Sequence, residues 1–456
     1  MDVMDIYNHS PIWVQSILTS VKGISLKHKR YNDVYKIALE EYLNRDYSDY
    51  HQLLDYQWER ADELIHYAFQ NSPFYRKFYE GIDLKGVLAK RDLSLLPILE
   101  KEVVRENISE MYTISESEAY KSNTSGTTGK SICFWYTNTD NQRRMAYLDA
   151  FKIRRGFIPM KMKRASFNSA KIVPPNQKSN IFWRDNLSIK QRIYSGYHCK
   201  GRNLSYYVEN IKKYQPASID GYPSAIFEIA KYINDNSIQL GFKPIAIFPT
   251  AETLLPFQKE GIEKAFMCPV YDQYASSEGA PFVVGCKANH LHYCMDTGII
   301  EFSDNGDILV TCFETHGTPL IRYRIGDRMF LSDEKKCSCG VDMPIVSSIE
   351  GRNSDYILSK QNGKVTSVYL SLVSEDFLNS IQEMQYIQNT IDSVDVYIVA
   401  DEKYDESMNA IILQKLHYSL GDDMNIYIHI VPELHKESSG KCRFVINNLD
   451  KINYLR

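Results

Sequence analysis

Two stretches of the chain combine residue types and spacings that could do chemistry. The first is Thr124-Ser125-Gly126-Thr127-Thr128-Gly129-Lys130, placed ahead of the apolar run Ile132-Cys133-Phe134-Trp135-Tyr136. Small residues let a backbone approach an anion closely, and its N–H groups, joined by hydroxyls and an ammonium, can ring phosphate oxygens. Gly129-Lys130-Ser131 invites comparison with a nucleotide P-loop, but that motif needs four residues between its glycine and its Gly-Lys pair and follows a strand. Here only Thr127 and Thr128 separate Gly126 from Gly129, and the strand candidate comes afterwards, so the P-loop reading fails. An ordinary turn between strands remains the plain alternative for the string taken alone. The second stretch is split: Cys286-Lys287-Ala288-Asn289-His290-Leu291-His292-Tyr293-Cys294 upstream and Cys337-Ser338-Cys339-Gly340 downstream. Two thiolates from each, or three with one imidazole, would close a tetrahedral zinc site, whereas unliganded buried cysteines are the blander reading.

These residues need elements to hold them. Leu53, Leu54, Trp58, Ala61, Leu64, Ile65, Ala68 and Phe69 recur at helical spacing over 52–69 and stop at Asn71-Ser72-Pro73. From about 120 to 350, short β-rich runs alternate with helical patterns, which predicts an α/β core. Ile299–Phe302 and Ile308–Val310 flank Asp304-Asn305-Gly306-Asp307, the pattern of a hairpin on an Asn-Gly turn. Past Gly351 the texture changes. Val394, Val396 and Ile398 alternate with polar residues, as do Ile426, Ile428 and Ile430, and Ser407–Leu420 between them is helical in character. The organisation expected is an N-terminal domain over 1–350, a hinge at 351–358 in the polar stretch Glu350-Gly351-Arg352-Asn353-Ser354-Asp355, and a small α+β lid over 359–456.

In this setting the glycine- and hydroxyl-rich loop, with Tyr136-Thr137 and Asp140 after it, resembles the phosphate-binding loop of adenylate-forming enzymes, and within them the phenylacetate–coenzyme A ligase family and its CapK-like capsule biosynthesis branch. Other segments resemble that family in its order: Asn71-Ser72-Pro73-Phe74-Tyr75-Arg76, Leu96-Pro97-Ile98-Leu99-Glu100-Lys101, Gly221-Tyr222-Pro223-Ser224, Tyr274-Ala275-Ser276-Ser277-Glu278, Leu320-Ile321-Arg322-Tyr323-Arg324-Ile325-Gly326-Asp327, Gly351-Arg352 with Asp355, and Ser439-Gly440-Lys441-Cys442-Arg443. Ile325 stands where the family has Thr. The likeness runs from about residue 50 to 446.

The resemblance implies a large N-terminal α/β domain with β-sheets and packed helices plus a mobile α+β C-terminal lid. It implies roles too. Ser125, Gly126, Thr127, Thr128, Gly129 and Lys130 would cradle the phosphates of ATP, Tyr274 would stack on adenine, and Ser277 would bond the α-phosphate. Glu278 would hold Mg²⁺, a hard cation suited to oxygen ligands. Asp327 offers acceptor oxygens to two ribose hydroxyls, and Arg352 a cationic fork nearby. Ala251 and Glu252 would lie beside the adenine, with Ala251 replacing the family's usual glycine, while Tyr222 and Pro223 would line the acid pocket. Lys441 would be the catalytic cation between substrate carboxylate and α-phosphate, where losing such a contact costs about 10²–10³ in rate. The family's Leu-His-x-x-x-Asp pattern falls on Leu291, His292 and Asp296, which selects Cys286, His292, Cys337 and Cys339 as ligands of a structural Zn²⁺ in a knuckle spanning about 286–339 and leaves Cys294 spare.

The implied activity is ATP-dependent formation of an acyl-adenylate from a carboxylic acid with release of pyrophosphate, followed by transfer to coenzyme A. One alternative passes the acyl group to an amine, sugar or carrier thiol in surface polysaccharide biosynthesis. Another is a non-catalytic nucleotide-binding scaffold, against which the retained Glu278, Asp327 and Lys441 speak. A homodimer is compatible with the resemblance.

Composition narrows the rest. The chain has 456 residues, 44% of them hydrophobic, so it can bury its cores without covalent staples. With 53 basic against 57 acidic residues, the net charge of -4 offers nothing to a nucleic-acid backbone. No apolar run approaches the ~18–20 residues of a membrane span. The start, Met1-Asp2-Val3-Met4-Asp5, is acidic where a secretory signal would be basic, and nine irregularly spaced cysteines suggest reduced thiols, so a cytoplasmic location is expected.

Overall fold

The computed structural model describes residues 3–449 apart from 124–131, 169, 171, 175–176, 197, 200, 252–253, 255, 305, 351–355, 375–380, 401, 403, 406 and 436–443. The chain divides into two compact units, one of residues 1–122 with 134–351 and one of residues 123–133 with 352–456.

The larger unit contains two sheets of opposite character. Five strands run in the spatial order Trp183–Asn186, Gln191–Ser195, Arg164–Asn168, Ser218–Gly221, Ala246–Pro249. All neighbours are parallel except the first pair, which is antiparallel. A parallel sheet is covered on both faces, so its strands read as apolar without alternation; all four residues of Ala246–Pro249 are buried. Helices Leu204–Tyr214, Pro223–Asp235 and Pro256–Phe266 supply Val208, Ile211, Ile226, Ile229, Ile233 and Ile262 to a core shared with Phe167, Ile219 and Ile247. The helix Asn138–Ile153 brings Phe151 edge-on to Phe248, the residue after Ile247 and therefore on the other face of the sheet.

The second sheet has seven strands, in the order Gly298–Phe302, Asp307–Cys312, Tyr323–Leu331, Ile345–Glu350, Leu291–Tyr293, Val283–Gly285, Gln273–Tyr274. Every pair is antiparallel. The hairpin expected across 299–310 is present, pairing Ile299 with Thr311 and Phe302 with Ile308; Asn305 of its turn lies outside the described residues. The helix expected over 52–69 spans Tyr50–Asn71, capped at its start by Asp49, and Ser72 ends it while capping the helix Pro73–Phe78. Three further helices, Val3–His9, Ile12–Arg30 and Asp33–Asn44, fill the N-terminal stretch.

The smaller unit holds a four-stranded sheet ordered Asn425–Ile430, Ser393–Ala400, Ile381–Thr390, Val445–Asn447. The strand, helix, strand succession Ser393–Ala400, Ser407–Leu420, Asn425–Ile430 is a parallel crossover, as the alternating apolar pattern predicted. Val394, Val396 and Ile398 are fully buried with Ile412, Leu416 and Tyr386. Ile426 and Ile428 are only partly covered because their strand lies at the sheet edge.

Candidate active site

Strand order decides where a pocket can open in the parallel sheet. From Arg164–Asn168 the chain pairs Gln191–Ser195 on one side and then returns to place Ser218–Gly221 on the other. Connections leaving in opposite directions open a crevice at the carboxyl ends of the two strands, the usual ligand position in open α/β sheets. Gly221 ends one of them at φ +129, and a Cβ there would sit 1.8 Å from the Phe167 carbonyl oxygen, so only glycine fits. The close approach lets the Tyr222 N–H donate to Phe167 O at 2.8 Å and the Thr250 N–H to Gly221 O at 2.9 Å. Tyr222 is half-buried at this point, and Pro223 is the first residue of the helix it caps. The sequence-expected pocket residues therefore stand at the mouth of the crevice. Ala251, two residues past the last strand, is exposed at φ +70. A side chain in this left-handed region costs about 1 kcal/mol relative to glycine, the residue the family carries there.

The nucleotide-site candidates come from the other sheet. The Tyr274 hydroxyl donates to Asp327 Oδ2 at 2.8 Å, although their strands are four places apart in the sheet order. A bulge makes this reach. Asp307 pairs with Arg328 while Leu309 pairs with Arg324, so Ile325-Gly326-Asp327 faces the single residue Ile308, with Gly326 at φ +90. Such an insertion re-aims a side chain out of the regular ladder. Burial and the Asp327 charge push the Tyr274 phenol far above its usual range, keeping it a neutral donor. Beyond the strand, Ser277 Oγ donates to Glu278 Oε2 at 3.0 Å, and the Glu278 side chain is nearly buried. The turn carrying them is pinned from two sides. Tyr136, on the strand Cys133–Tyr136, donates to Ser277 O, and Arg144 donates to Gly279 O at 2.7 Å. Glu278 thus presents a hard oxygen donor of the kind Mg²⁺ takes.

Several motif residues anchor the scaffold. Arg322, at φ +50, donates to both Glu301 oxygens and to the carbonyls of Ser94 and Leu96. With Leu99 N donating to Arg322 O and Arg324 N to Leu99 O, it locks the Leu96–Lys101 segment onto the seven-stranded sheet. Asp140, in the first turn of Asn138–Ile153, completes a capping box with Thr137 and contacts His316 Nδ1 at 2.6 Å. Burial alone would raise the Asp140 carboxyl, but the His316 hydrogen bond and charge outweigh it and hold it low; burial alone would lower His316, and Asp140 raises it. In the sequence Asp140 stands only within a motif, and nothing marks His316, Arg144 or the bulge, because each depends on a partner more than a hundred residues away or on a register shift.

Cys286, His292, Cys337 and Cys339 converge, with all four ligand atoms within 4.8 Å of one another. Cys286 follows the strand Val283–Gly285, His292 lies on the next strand, and the two other cysteines occupy the connection from Leu331 to Ile345. Antiparallel pairing of Leu291 with Val346 and with Gly285 brings these loops side by side. Cys286 Sγ and Cys337 Sγ are 3.6 Å apart, and His292 Nε2 and Cys339 Sγ 3.4 Å. Two sulfurs each ~2.3 Å from a tetrahedral zinc would be about 3.8 Å apart, so the Cys286–Cys337 separation suits that ion. His292 Nδ1 bonds Met343 O at 3.1 Å, which orients the ring with Nε2 towards the thiols. Gly340 at φ +86 closes the Cys337–Gly340 turn. Burial lowers the His292 pKa, favouring the neutral imidazole. His290 also lies 3.2 Å from Cys337 Sγ but turns its other nitrogen to Glu334. Cys294 is buried, donates to His292 O, and stands outside the cluster.

Ser125, Gly126, Thr127, Thr128, Gly129, Lys130, Glu252, Arg352 and Lys441 lie outside the described residues.

Residues 357–448 match the CapK C-terminal domain family. The chain is 39% identical over 453 residues to Protein CapK of Staphylococcus aureus, covering 97% of this chain and 99% of that protein. It is 22% identical over 274 residues to indoleacetate–lysine synthetase of Pseudomonas savastanoi, covering 56% of this chain and 65% of that one. Among solved structures, 2-hydroxyisobutyryl-CoA ligase in complex with 2-HIB-AMP and CoA, in the thioesterification state, superposes with a TM-score of 0.57 at 16% identity, covering 88% of this chain and 91% of that chain.

Proposed function

The chain belongs to the CapK-like family of adenylate-forming enzymes, and from that membership we propose that it activates a carboxylic acid with ATP and transfers the acyl group to a second substrate. The observation that carries this reading is the Tyr274–Asp327 hydrogen bond beside the Ser277–Glu278 turn. In the first step a carboxylate oxygen bonds to the α-phosphorus, the bond to the β-phosphate breaks, and pyrophosphate leaves. In the second, an acceptor nucleophile bonds to the acyl carbon, gives up its proton, and AMP departs.

Each residue has a part in that chemistry. Asp327 accepts from Tyr274 through one oxygen and keeps acceptor capacity for ribose hydroxyls, while the Tyr274 ring, held by its own hydroxyl, offers a face to adenine. Ser277 Oγ can trade its bond to Glu278 for a phosphate oxygen, freeing the carboxylate. Mg²⁺ held by Glu278 would offset the charge on the phosphates. The loop Ser125–Lys130 and Arg352 complete the nucleotide cradle, and Tyr222 and Pro223 at the switch-point crevice face the acid. Lys441 is the cation of adenylation, carried by a small domain that moves about residues 351–358 between the two steps. A zinc ion on Cys286, His292, Cys337 and Cys339 is structural, since four protein ligands leave no open position.

Coenzyme A is the first acceptor to test. The relationship to indoleacetate–lysine synthetase, whose name couples an acid to an amine, supports an amine as the second. Acid-dependent ATP–pyrophosphate exchange across a panel of carboxylic acids tests adenylation. Exchange is expected with at least one acid, and ATP binding without exchange would leave the scaffold reading. Acyl transfer with coenzyme A, and separately with amines, sugars and carrier thiols, then divides the acceptors. Lys441→Ala should abolish exchange while largely sparing acyl transfer from supplied acyl-AMP; equal loss of both steps contradicts the moving lysine.

A further inference from the structure

The helix Ile12–Arg30 is built inside out. The residues it buries fully against the rest of the unit are polar or small, with Ile12 and Leu26 only half-buried beside them. Gln15 accepts from Arg184 Nε at 2.6 Å, Ser20 Oγ donates to Asp185 O at 3.0 Å and accepts from Leu187 N at 3.1 Å, and Gly23 lies where a Cβ would strike the Asn186 side chain at 2.1 Å. Only Gln15 and Gly23 are buried along its 19 residues. Most of its large apolar side chains are exposed instead, among them Trp13 at 67%, Ile17 at 51%, Val21 at 57% and Ile24 at 48%. At about 100° per residue these four fall within roughly 80° of arc, a continuous stripe. Leu187, beside the helix, adds a 75% exposed side chain. At the stripe's C-terminal end, Ile24, Lys27, His28, Tyr31, Asn32 and Ser188 line a cleft of about 340 Å³.

Charge selects the occupant. The segment IWVQSILTSVKGISLKHKR contains Lys22, Lys27, Lys29, Arg30 and His28 and no acidic residue, in a chain whose 57 acids outnumber its 53 bases. Self-pairing of this face would bring two acid-free cationic helices together, with only like charge across the contact, which is costly. A surface offering both hydrocarbon and negative charge complements it: apolar residues enter the acyl boundary while the helix's exposed lysines reach headgroups. No helix among the described residues is long and apolar enough to cross a membrane, so the contact is one of lying on the surface. We propose that the solvent-facing stripe Trp13, Ile17, Val21 and Ile24, with Lys27 at its margin and the exposed Lys22 and Lys29 further round the helix, docks the protein on an anionic lipid surface. This assignment is independent of the adenylation chemistry.

Co-sedimentation of the full chain with vesicles of phosphatidylglycerol and phosphatidylcholine in equal parts, against pure phosphatidylcholine, tests it. The wild type should pellet with the anionic vesicles, largely release in high salt, and stay in solution with the neutral ones. A Trp13→Ser, Val21→Ser variant should bind about tenfold more weakly or worse with its melting temperature kept, because both side chains are exposed. Lys22→Glu with Lys27→Glu should likewise abolish pelleting, a second route that leaves the apolar residues in place. Absence of wild-type binding overturns the proposal, as does equal binding to both vesicle types. A wild-type dimer in sedimentation velocity that the serine variant converts to monomer would assign the face to a second copy instead.

Discussion

The two sheets of the larger unit make functional positions in different ways. In the parallel sheet the site is a property of the backbone: strand order opens the crevice, and Gly221 with its neighbours shapes it with hardly any side chain involved. In the seven-stranded antiparallel sheet the site is a property of side chains that already touch, Tyr274 on Asp327 and Cys286 near Cys337. The difference follows from connectivity. Parallel strands are joined by helical crossovers, so their ends converge as bare termini. Antiparallel strands are joined by short turns that deliver side chains from neighbouring loops to one point. The first kind of site should be broken by adding a methyl group, the second by removing a donor atom.

Gly221→Ala is the sharpest test and the largest effect. With the Phe167 carbonyl 1.8 Å from the new Cβ, the strand ends must part, and a loss of about 4 kcal/mol or more is expected in denaturant unfolding. A variant as stable as wild type would refute the crevice geometry. Next comes the double substitution Cys337→Ser, Cys339→Ser. It should lower stability by about 3 kcal/mol and remove the zinc that wild type is expected to carry at close to one ion per chain; elemental analysis of wild type below half an ion would remove the knuckle.

The Asp140–His316 contact ties the helix over the parallel sheet to a loop of the antiparallel one, and it gives a pH test of intermediate size. Because Asp140 raises the folded-state pKa of His316, the stabilisation is complete below the ordinary histidine value, ~6.5, and is lost as pH rises through the raised value. His316→Gln should cost about 1 kcal/mol below ~6.5 and flatten the decline of the melting temperature above it. An unchanged slope would mean that the imidazole stays neutral. Tyr274→Phe, which keeps the ring but removes the donor to Asp327, should change KM for ATP by about fivefold with little change in folding, near 1 kcal/mol of binding. Smallest, and of opposite sign, is Ala251→Gly: relief of the left-handed alanine should raise stability by up to about 1 kcal/mol. A loss instead would show that the methyl group is packed.

The small unit's strand, helix, strand order was legible because period-2 and period-3.6 patterns are local, and Ser407–Leu420 is helical over the span the sequence suggested. The cluster of Cys286, His292, Cys337 and Cys339 was legible because soft ligands are rare, with the family resemblance, and not spacing, selecting His292 over His290. The inside-out helix Ile12–Arg30 was not, since its periodicity shows an apolar stripe without saying which way the stripe faces. His316 and Arg144 were invisible for a related reason: a histidine in a Thr-His-Gly-Thr turn and an arginine on a helix look like surface residues until their partners 176 and 135 positions away are in place.

What the sequence determined by itself is chemical inventory and local conformation: which residues can hold a phosphate, a metal or a proton, and which stretches coil or extend. The tertiary structure alone decided adjacency. It placed Asp327 against Tyr274 through two extra residues in a strand, and it put Gly221 under a carbonyl oxygen. Spacing along a chain fixes side-chain direction for only a few residues, whereas contact between distant segments is set by register and strand order, which arise from burial summed over the whole core.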